Sequence, residues 1–173
     1  MTVWRLIFVL ILFSSCGTEG KAPESTYADI KGYFHKESNR LSKSKAKVNK
    51  TVSRNGVSET KENISPEWDT ELSLFAESDI NKPAWSNSYN VSHENGDILY
   101  TANDSKLRTR SVRIAKNQQG RITKLYILNS TKNYLYSSSE ELLYMPDSLY
   151  QIIKKQDVLL IGNNSYKISG FFR

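Results

Sequence analysis

The sequence is poor in the residues that build metal centres and disulfide frameworks. Its 173 residues include one cysteine, two histidines, 8 Gly and 4 Pro. One thiol and two imidazoles are too few for a four-ligand zinc site, and a lone cysteine cannot form an internal disulfide. Because 38% of the residues are hydrophobic, a largely disordered chain is excluded, and so is a collagen-like one. The length fits one domain with an appendage, and we predict no metal and no cofactor.

Long hydrophobic runs are absent as well. The longest unbroken one, residues 6–13, is far short of the ~20 apolar residues that a membrane-spanning helix needs. Arg5 precedes this run, and Ser14 and Ser15 follow it before the chain reaches Cys16. A basic start, a short apolar run and small residues at its end are typical of a secretory signal. We predict a signal peptide over residues 1–15.

The cysteine suggests which kind of signal this is. The sequence Phe-Ser-Ser-Cys at residues 13–16 resembles the lipobox of bacterial lipoproteins, in which an aliphatic residue and two small residues precede the cysteine. The resemblance implies cleavage before Cys16, a diacylglycerol thioether on its side chain and acylation of the new amino group. Phe13 replaces the preferred leucine, and Arg5 is the only positive charge before the apolar run; Bacteroidota-type lipoproteins tolerate both. The alternatives are an ordinary signal peptide with an incidental cysteine and an uncut hydrophobic anchor.

The lipid prediction also gives an expected location. Two or three acyl chains hold a protein on a membrane almost permanently, so we expect the membrane to be a partner of this protein. Gly17 stands where an aspartate is associated with inner-membrane retention in some Gram-negative bacteria, which favours the outer membrane and leaves its face undecided. We expect no nucleic-acid partner, although the formal net charge is +6, because the signal directs the protein out of the cytoplasm.

Periodicity predicts two amphipathic helices and a hairpin in the first half of the mature chain. After a lipidated cysteine and flexible tether over residues 16–26, we predict a single domain over 27–173. Its first helix covers residues 27–43, with apolar side chains on one face, and its second covers 66–78 after a Ser-Pro start. Between them Asn55-Gly56, a dipeptide typical of two-residue hairpin turns, joins two mostly polar strands over residues 45–54 and 57–64.

The second half predicts strands joined by turns too short for parallel crossovers, and therefore an antiparallel meander. The candidate strands are 84–92, 97–101, 107–116, 121–130, 134–145, 149–154, 158–161 and 165–172. Some are apolar on both faces, which indicates a strongly curved sheet with the helices on its concave side. The predicted fold class is therefore α+β, a mainly antiparallel curved meander, half-barrel-like or sandwich-like, with two amphipathic helices packed on it.

Catalytic constellations are weak in this sequence. The two imidazoles are His35, in the first helix, and His93, in a turn-like segment, and no Gly-x-Ser-x-Gly nucleophile motif is present. Glu140 and Glu141 are adjacent on one strand, so their side chains point to opposite faces, and we interpret them as flanking a solvated strand. We predict that the protein is not an enzyme, with an envelope hydrolase as the minor alternative.

Basic residues form one run without intervening acids. Placed near the lipid, they predict a membrane-surface patch that contacts anionic headgroups, with a solvated face as the alternative. The members of this patch are Arg40, Lys43, Lys45, Lys47, Lys50 and Arg54.

Beyond the lipobox, residues 27–173 are weakly similar to small uncharacterised Bacteroidota lipoproteins. We predict a lipid-anchored, non-enzymatic protein of the cell envelope with a binding or accessory role at the membrane, in one of two forms. A carrier of a lipid or another hydrophobic ligand predicts a pocket lined by Leu125, Tyr126, Leu128, Leu160 and Ile168. A structural or interaction subunit with an envelope protein partner predicts a filled core and an exposed apolar patch. A hydrolase predicts a polar cleft around His35 or His93.

Overall fold

The computed structural model describes residues 26–173, so the predicted signal peptide, Cys16 and nearly all of the predicted tether lie outside the described residues. The described chain begins with a helix and a hairpin, continues through two very short helices and ends in seven consecutive strands. The elements are α1 (Ile30–Lys43), β1 (Val48–Arg54), β2 (Val57–Ile64), α2 (Trp68–Glu71), α3 (Ser73–Ala76), β3 (Tyr89–Glu94), β4 (Asp97–Ala102), β5 (Thr109–Lys116), β6 (Ile122–Lys132), β7 (Tyr136–Met145), β8 (Leu149–Val158) and β9 (Gly162–Phe172).

All nine strands belong to one antiparallel sheet. Their order is β2-β1-β9-β8-β7-β6-β5-β4-β3, so the sheet is a meander from β3 to β9 to which the β1–β2 hairpin is added beside the last strand. The sheet is curved and open, with β2 and β3 at its edges, and the helices lie on one face. The α+β curved meander predicted from the sequence is confirmed. Among the described residues, no helix combines the length and the apolar character needed to cross a bilayer.

Helix α1 forms as predicted from its apolar face, apart from the first turn. Ile30, Phe34 and Leu41 are buried against the sheet. Asp29 caps the helix, because its Oδ1 accepts a hydrogen bond of 2.7 Å from the backbone N–H of Gly32. A Cβ on residue 32 would lie only 2.0 Å from the Asp29 carboxylate, so the small residue is what lets this cap fold over the helix end.

The prediction of one continuous helix over residues 66–78 is wrong. The segment is split into α2 and α3 at Leu72, whose φ of −97° and ψ of 5° leave the helical region. The Ser73 hydroxyl donates to the carbonyl of Thr70 at 2.8 Å, a local bond that competes with regular helix geometry. The predicted apolar face is nevertheless buried across both short helices, since Trp68, Leu72 and Phe75 are all buried.

Two predicted strands are also corrected. The strand expected over residues 84–92 begins only at Tyr89, because Pro83–Trp85 form a 3-10 turn. The strand expected over 158–161 is a turn: β8 continues without a break to Val158, Leu160 has a φ of +73°, and β9 starts at Gly162. The polar segment before Val158 stays in the sheet because it pairs with both β7 and β9.

The core lies between the helices and one half of the concave face of the sheet. Among residues 26–173, the buried core and the apolar residues packed against it extend from Tyr27 to Phe172. The largest fully buried side chains include Trp68, Tyr144, Tyr150, Phe34 and Phe75. The aromatic rings contact one another edge to face, for example Phe34 with Tyr144 at a centroid distance of 5.2 Å.

Candidate functional site

The helix-covered half of the concave face is filled by tyrosines whose hydroxyls bind buried carboxylates. Tyr144 Oη donates to Glu37 Oε1 at 2.5 Å, and Tyr150 Oη donates to Glu71 Oε1 at 2.7 Å. Burial, and then the hydrogen bond to the carboxylate, raise the pKa of both phenols above the ordinary tyrosine range. Both tyrosines therefore stay neutral and act as fixed donors that tie the helices to the sheet.

A second buried polar cluster lies on the same face, beyond the helices. The Glu140 side chain is 6% exposed and accepts from Arg108 at 2.7 Å and from Lys154 at 3.0 Å. Asn129 Nδ2 donates to Glu140 at 3.2 Å and to the hydroxyl of Ser78 at 2.9 Å. Glu140 and Glu141 do point to opposite faces, but the interpretation of Glu140 as a solvated residue is wrong, because it is buried and doubly paired.

The charge state of Glu140 argues for a structural role. Burial alone would raise the pKa of its carboxyl, but the bonds to Lys154 and Asn129 and the charge of Arg108 outweigh that effect and hold it below its usual value. A carboxylate that is kept ionised and occupied by two cations is poorly suited to proton transfer near neutral pH. The cluster joins strands β5, β6, β7 and β8 to the end of α3.

The two histidines lie on different elements, and both are exposed. His35 is exposed on α1 at an open groove of about 540 Å³ between this helix and α3. In that groove the Ser38 hydroxyl donates to Asp69 rather than to an imidazole. His93 is exposed on the edge strand β3, opposite Ile98. Within residues 26–173, no group of three His, Cys, Asp or Glu side chains could hold a metal ion.

The predicted basic patch is divided by the structure. Arg40 pairs with Glu37 and Asp147, and Lys50 pairs with Glu71. Arg54 lies over the ring of Tyr166, 5.5 Å from its centroid, at the far end of β1. Lys43, Lys45 and Lys47 form an exposed group at the junction of α1 and β1.

The five residues predicted to line a pocket are not brought together. Leu125 is buried beneath the helices, whereas Tyr126 and Leu128 lie half-buried on the opposite face of the sheet. Tyr126 Oη donates to Glu141 at 3.1 Å, and burial together with this bond raises the pKa of its phenol. Ile168 is half-buried on the concave face beside Ile152, and Leu160 is 99% exposed in the turn between β8 and β9. Their role as ligand contacts stays a prediction.

The exposed apolar residues concentrate at two adjacent hairpin turns, β6–β7 and β8–β9. We call the following five residues, with the exposed fraction of each, the apolar tips: Tyr134 (91%), Leu135 (59%), Leu159 (53%), Leu160 (99%) and Ile161 (75%). The turns are neighbours because β7 pairs with β8, and the Leu159 N–H donates to the Leu135 carbonyl at 2.9 Å. Contiguous apolar side chains exposed in this way mark contact sites rather than ordinary surface.

Hydrogen bonds hold both turns in one conformation. Asn133 Oδ1 accepts from the N–H groups of Leu135 and Tyr136, each at 2.9 Å. The Ile161 N–H donates to the Val158 carbonyl at 3.0 Å, which closes the second turn. Inside that turn Leu160 has a left-handed φ of +73°, a conformation that costs a non-glycine residue about 1–2 kcal/mol. The backbone thus presents a leucine to solvent at some expense in stability.

Relief of this strain should be measurable. We expect Leu160→Asn to raise the free energy of unfolding by about 0.5–1 kcal/mol, because asparagine tolerates the left-handed region. Leu159→Asn is the matched control: it removes a neighbouring exposed leucine at a residue whose φ is not positive, and it should give no gain. Urea denaturation of both variants checks the prediction. A loss of stability in Leu160→Asn would mean that the leucine side chain is held by the fold.

The apolar tips were not predicted from the sequence, because the patterns of residues 134–145 and 158–161 predict strands. A short apolar run is equally consistent with a buried strand and with an exposed turn, so periodicity alone cannot separate them. The available signals were Asn133 before one apolar turn and Gly162 after the other, both typical of turns.

The site was also compared with known proteins. No family model matches the sequence, and neither the curated proteins nor the solved structures contain a match. The candidate site therefore rests on the geometry of this chain.

Proposed function

We propose that this protein is a lipid-anchored, non-enzymatic component of the cell envelope that has a binding or accessory role at the membrane. The anchor is Cys16, and the support for it is the sequence: Arg5, the apolar run 6–13 and two serines directly before the cysteine. The absence of an aspartate after Cys16 favours the outer membrane. The observation that carries the binding role is the cluster of exposed apolar side chains at the apolar tips.

The geometry favours a contact role over carriage of a hydrophobic ligand. A carrier needs an enclosed apolar volume, but the concave face beneath α1 and α3 is occupied by Phe34, Phe75 and Tyr144. Most of the large exposed apolar side chains lie outside the core at the ends of two hairpins. A filled core combined with an exposed apolar patch is the pattern expected of an interaction protein. A carried ligand remains the second form of the proposal, with Ile168 at the uncovered part of the concave face as its contact.

The anchor is tested by a single substitution in a bacterial host that processes lipoproteins. Cys16→Ser removes the only thiol in the chain. We expect the variant to lose palmitate labelling and to appear largely in the soluble fraction after the membranes are washed with carbonate, because several acyl chains give near-permanent binding.

Ser15→Ala is the matched control for this substitution. It keeps a small residue before the cysteine and should remain labelled and membrane-bound. Palmitate labelling of Cys16→Ser at the wild-type level would contradict the anchor and leave the protein without its proposed attachment.

A further inference from the structure

We infer that the apolar tips insert into the interface of an anionic lipid bilayer, so that the domain contacts the membrane directly as well as through its lipid. The inference deepens the proposed function and rests on it for placing the protein at a membrane. The contact would be made by the side chains of Tyr134, Leu135, Leu159, Leu160 and Ile161. Their place in the bilayer is the boundary between headgroups and acyl chains, where protruding apolar side chains are buried without spanning the membrane.

The position and composition of the tips fit a lipid surface. The side chains project beyond the last paired row of the sheet, which consists of Tyr136, Val158 and Gly162. The tips surround an open depression of about 590 Å³ between the two turns, and the segments 133–136 and 158–164 contain no charged residue. A tyrosine among leucines and an isoleucine matches the bilayer interface, where an aromatic ring with a polar end is favoured.

The charges around the tips complement an anionic surface. Lys132, Lys155 and Lys167 are exposed on the strands that end in the two turns, and Asp157 is the exposed acid near them. Glu140, the buried carboxylate of these strands, is already paired with Arg108 and Lys154. The excess of exposed lysines would attract anionic headgroups once the apolar side chains are inserted.

The left-handed Leu160 is an independent observation in favour of a contact. Backbone strain of this kind persists where the surrounding structure imposes it, and it concentrates at functional positions. The Leu160 side chain is 99% exposed, so within the described chain no packing of this side chain offsets the backbone strain. A leucine held outward in this way fits a bilayer contact better than a solvated turn.

The position of the tether agrees with this orientation. Tyr27, close to the start of the described chain, donates to the Ser86 carbonyl at 2.8 Å and accepts from the Tyr89 N–H at 3.2 Å, so it lies where β3 begins. Successive strands alternate in direction. The starts of β3 and β9 therefore lie at the same end of the sheet as the ends of β6 and β8. A tether from Cys16 to Tyr27 reaches about 40 Å at most and starts from this end.

The competing orientation places the lysines at the opposite end of the sheet against the membrane. Lys43, Lys45 and Lys47 lie where α1 ends and β1 begins, and β1 runs from there towards the end that carries the tips. The two orientations predict that substitutions at different residues reduce vesicle binding, so one set of variants distinguishes between the orientations.

The test uses residues 21–173, which include all the core residues that the structure describes and lack Cys16, with flotation on phosphatidylethanolamine–phosphatidylglycerol vesicles. We expect binding to these vesicles and weaker binding to phosphatidylcholine. The double variant Leu159→Asn/Leu160→Asn should lower the partition coefficient about tenfold, because two apolar side chains no longer enter the interface. Phe171→Asn is the matched control, since Phe171 is 52% exposed and lies near the end of β9, at the end of the sheet opposite the tips, and it should bind as the wild type does.

A depth measurement gives a second readout. Tyr134→Trp should show fluorescence quenched by vesicles made of brominated lipids, whereas Phe171→Trp, at the opposite end of the sheet, should not. Equal binding of the wild type and the double variant would overturn the inference. So would loss of binding only on replacing Lys43, Lys45 and Lys47 by glutamine, or crosslinking of the tips to a protein without any affinity for vesicles.

The two proposals fail separately. If Cys16 is labelled with palmitate but residues 21–173 do not bind vesicles, the tip contact is wrong and the anchor stands. If Cys16 is not labelled but the tips bind vesicles, the contact stands and the proposed anchor is wrong.

Discussion

Gly170→Ala should lower the free energy of unfolding by about 2–3 kcal/mol, because the added methyl group has no space. A Cβ on residue 170 would lie 2.1 Å from Cε1 of Tyr150, which pairs with it across β8 and β9. The ring cannot yield, since it is fully buried and its hydroxyl is bonded to Glu71. Chemical denaturation of residues 21–173 measures the loss.

A double-mutant cycle assigns this loss to the contact with Tyr150. In a Tyr150→Leu background the ring is gone, and Gly170→Ala should then lower the stability by less than about 1 kcal/mol. Equal losses in both backgrounds would show that the glycine is needed for the backbone rather than for the ring. The two single variants and the double variant are compared under one set of denaturation conditions.

Glu140→Gln should lower the free energy of unfolding near neutral pH by about 2–3 kcal/mol, since it leaves Arg108 and Lys154 without their shared carboxylate. This expected loss of stability is at the low end of the range for broken buried ion pairs, because the Arg108 and Lys154 side chains are 33% and 31% exposed and solvent screens their charges. Glu141→Gln is the matched control: it is the next residue, on the opposite face, and it should change stability much less.

The same substitution should change the pH dependence of stability. The pKa of Glu140 is lower in the folded protein than its ordinary value of 4.5, so the ionised form is favoured by folding. Its contribution is fully present above that ordinary value and is lost as the pH falls through the lower, folded pKa. The wild type should therefore lose more stability than Glu140→Gln on acidification below about pH 4.5. Parallel curves for the two proteins across this range would contradict the assigned ion pair.

The parts of the fold that depend on local chemistry were predictable from the sequence. Asn55-Gly56 indicated a tight hairpin, and both residues have the positive φ values, 50° and 88°, that such a turn requires. The buried face of α1 followed from apolar spacing, and the antiparallel sheet followed from the short connections. In each case the deciding interaction joins residues close together in the chain.

The parts that could not be predicted depend on contacts between distant residues. Glu140 is buried together with Arg108, which directly precedes β5, and Lys154, which lies on β8, and nothing near Glu140 in the sequence indicates either partner. The turn at 158–161 is as apolar as a buried strand, and only the pairing of β8 with β9 places it outside the sheet. The candidate site was missed for this reason, although one of its residues, Leu160, had been singled out.

The pairing of β1 with β9 has a consequence for the order in which the protein can fold. Val48, at the start of β1, lies opposite Phe172, at the end of the final strand. During synthesis from the N-terminus the chain can form the β1–β2 hairpin early, but an isolated two-stranded hairpin is only marginally stable in water. The β1–β2 hairpin can therefore join the rest of the sheet only after β9, the last strand, has been synthesised.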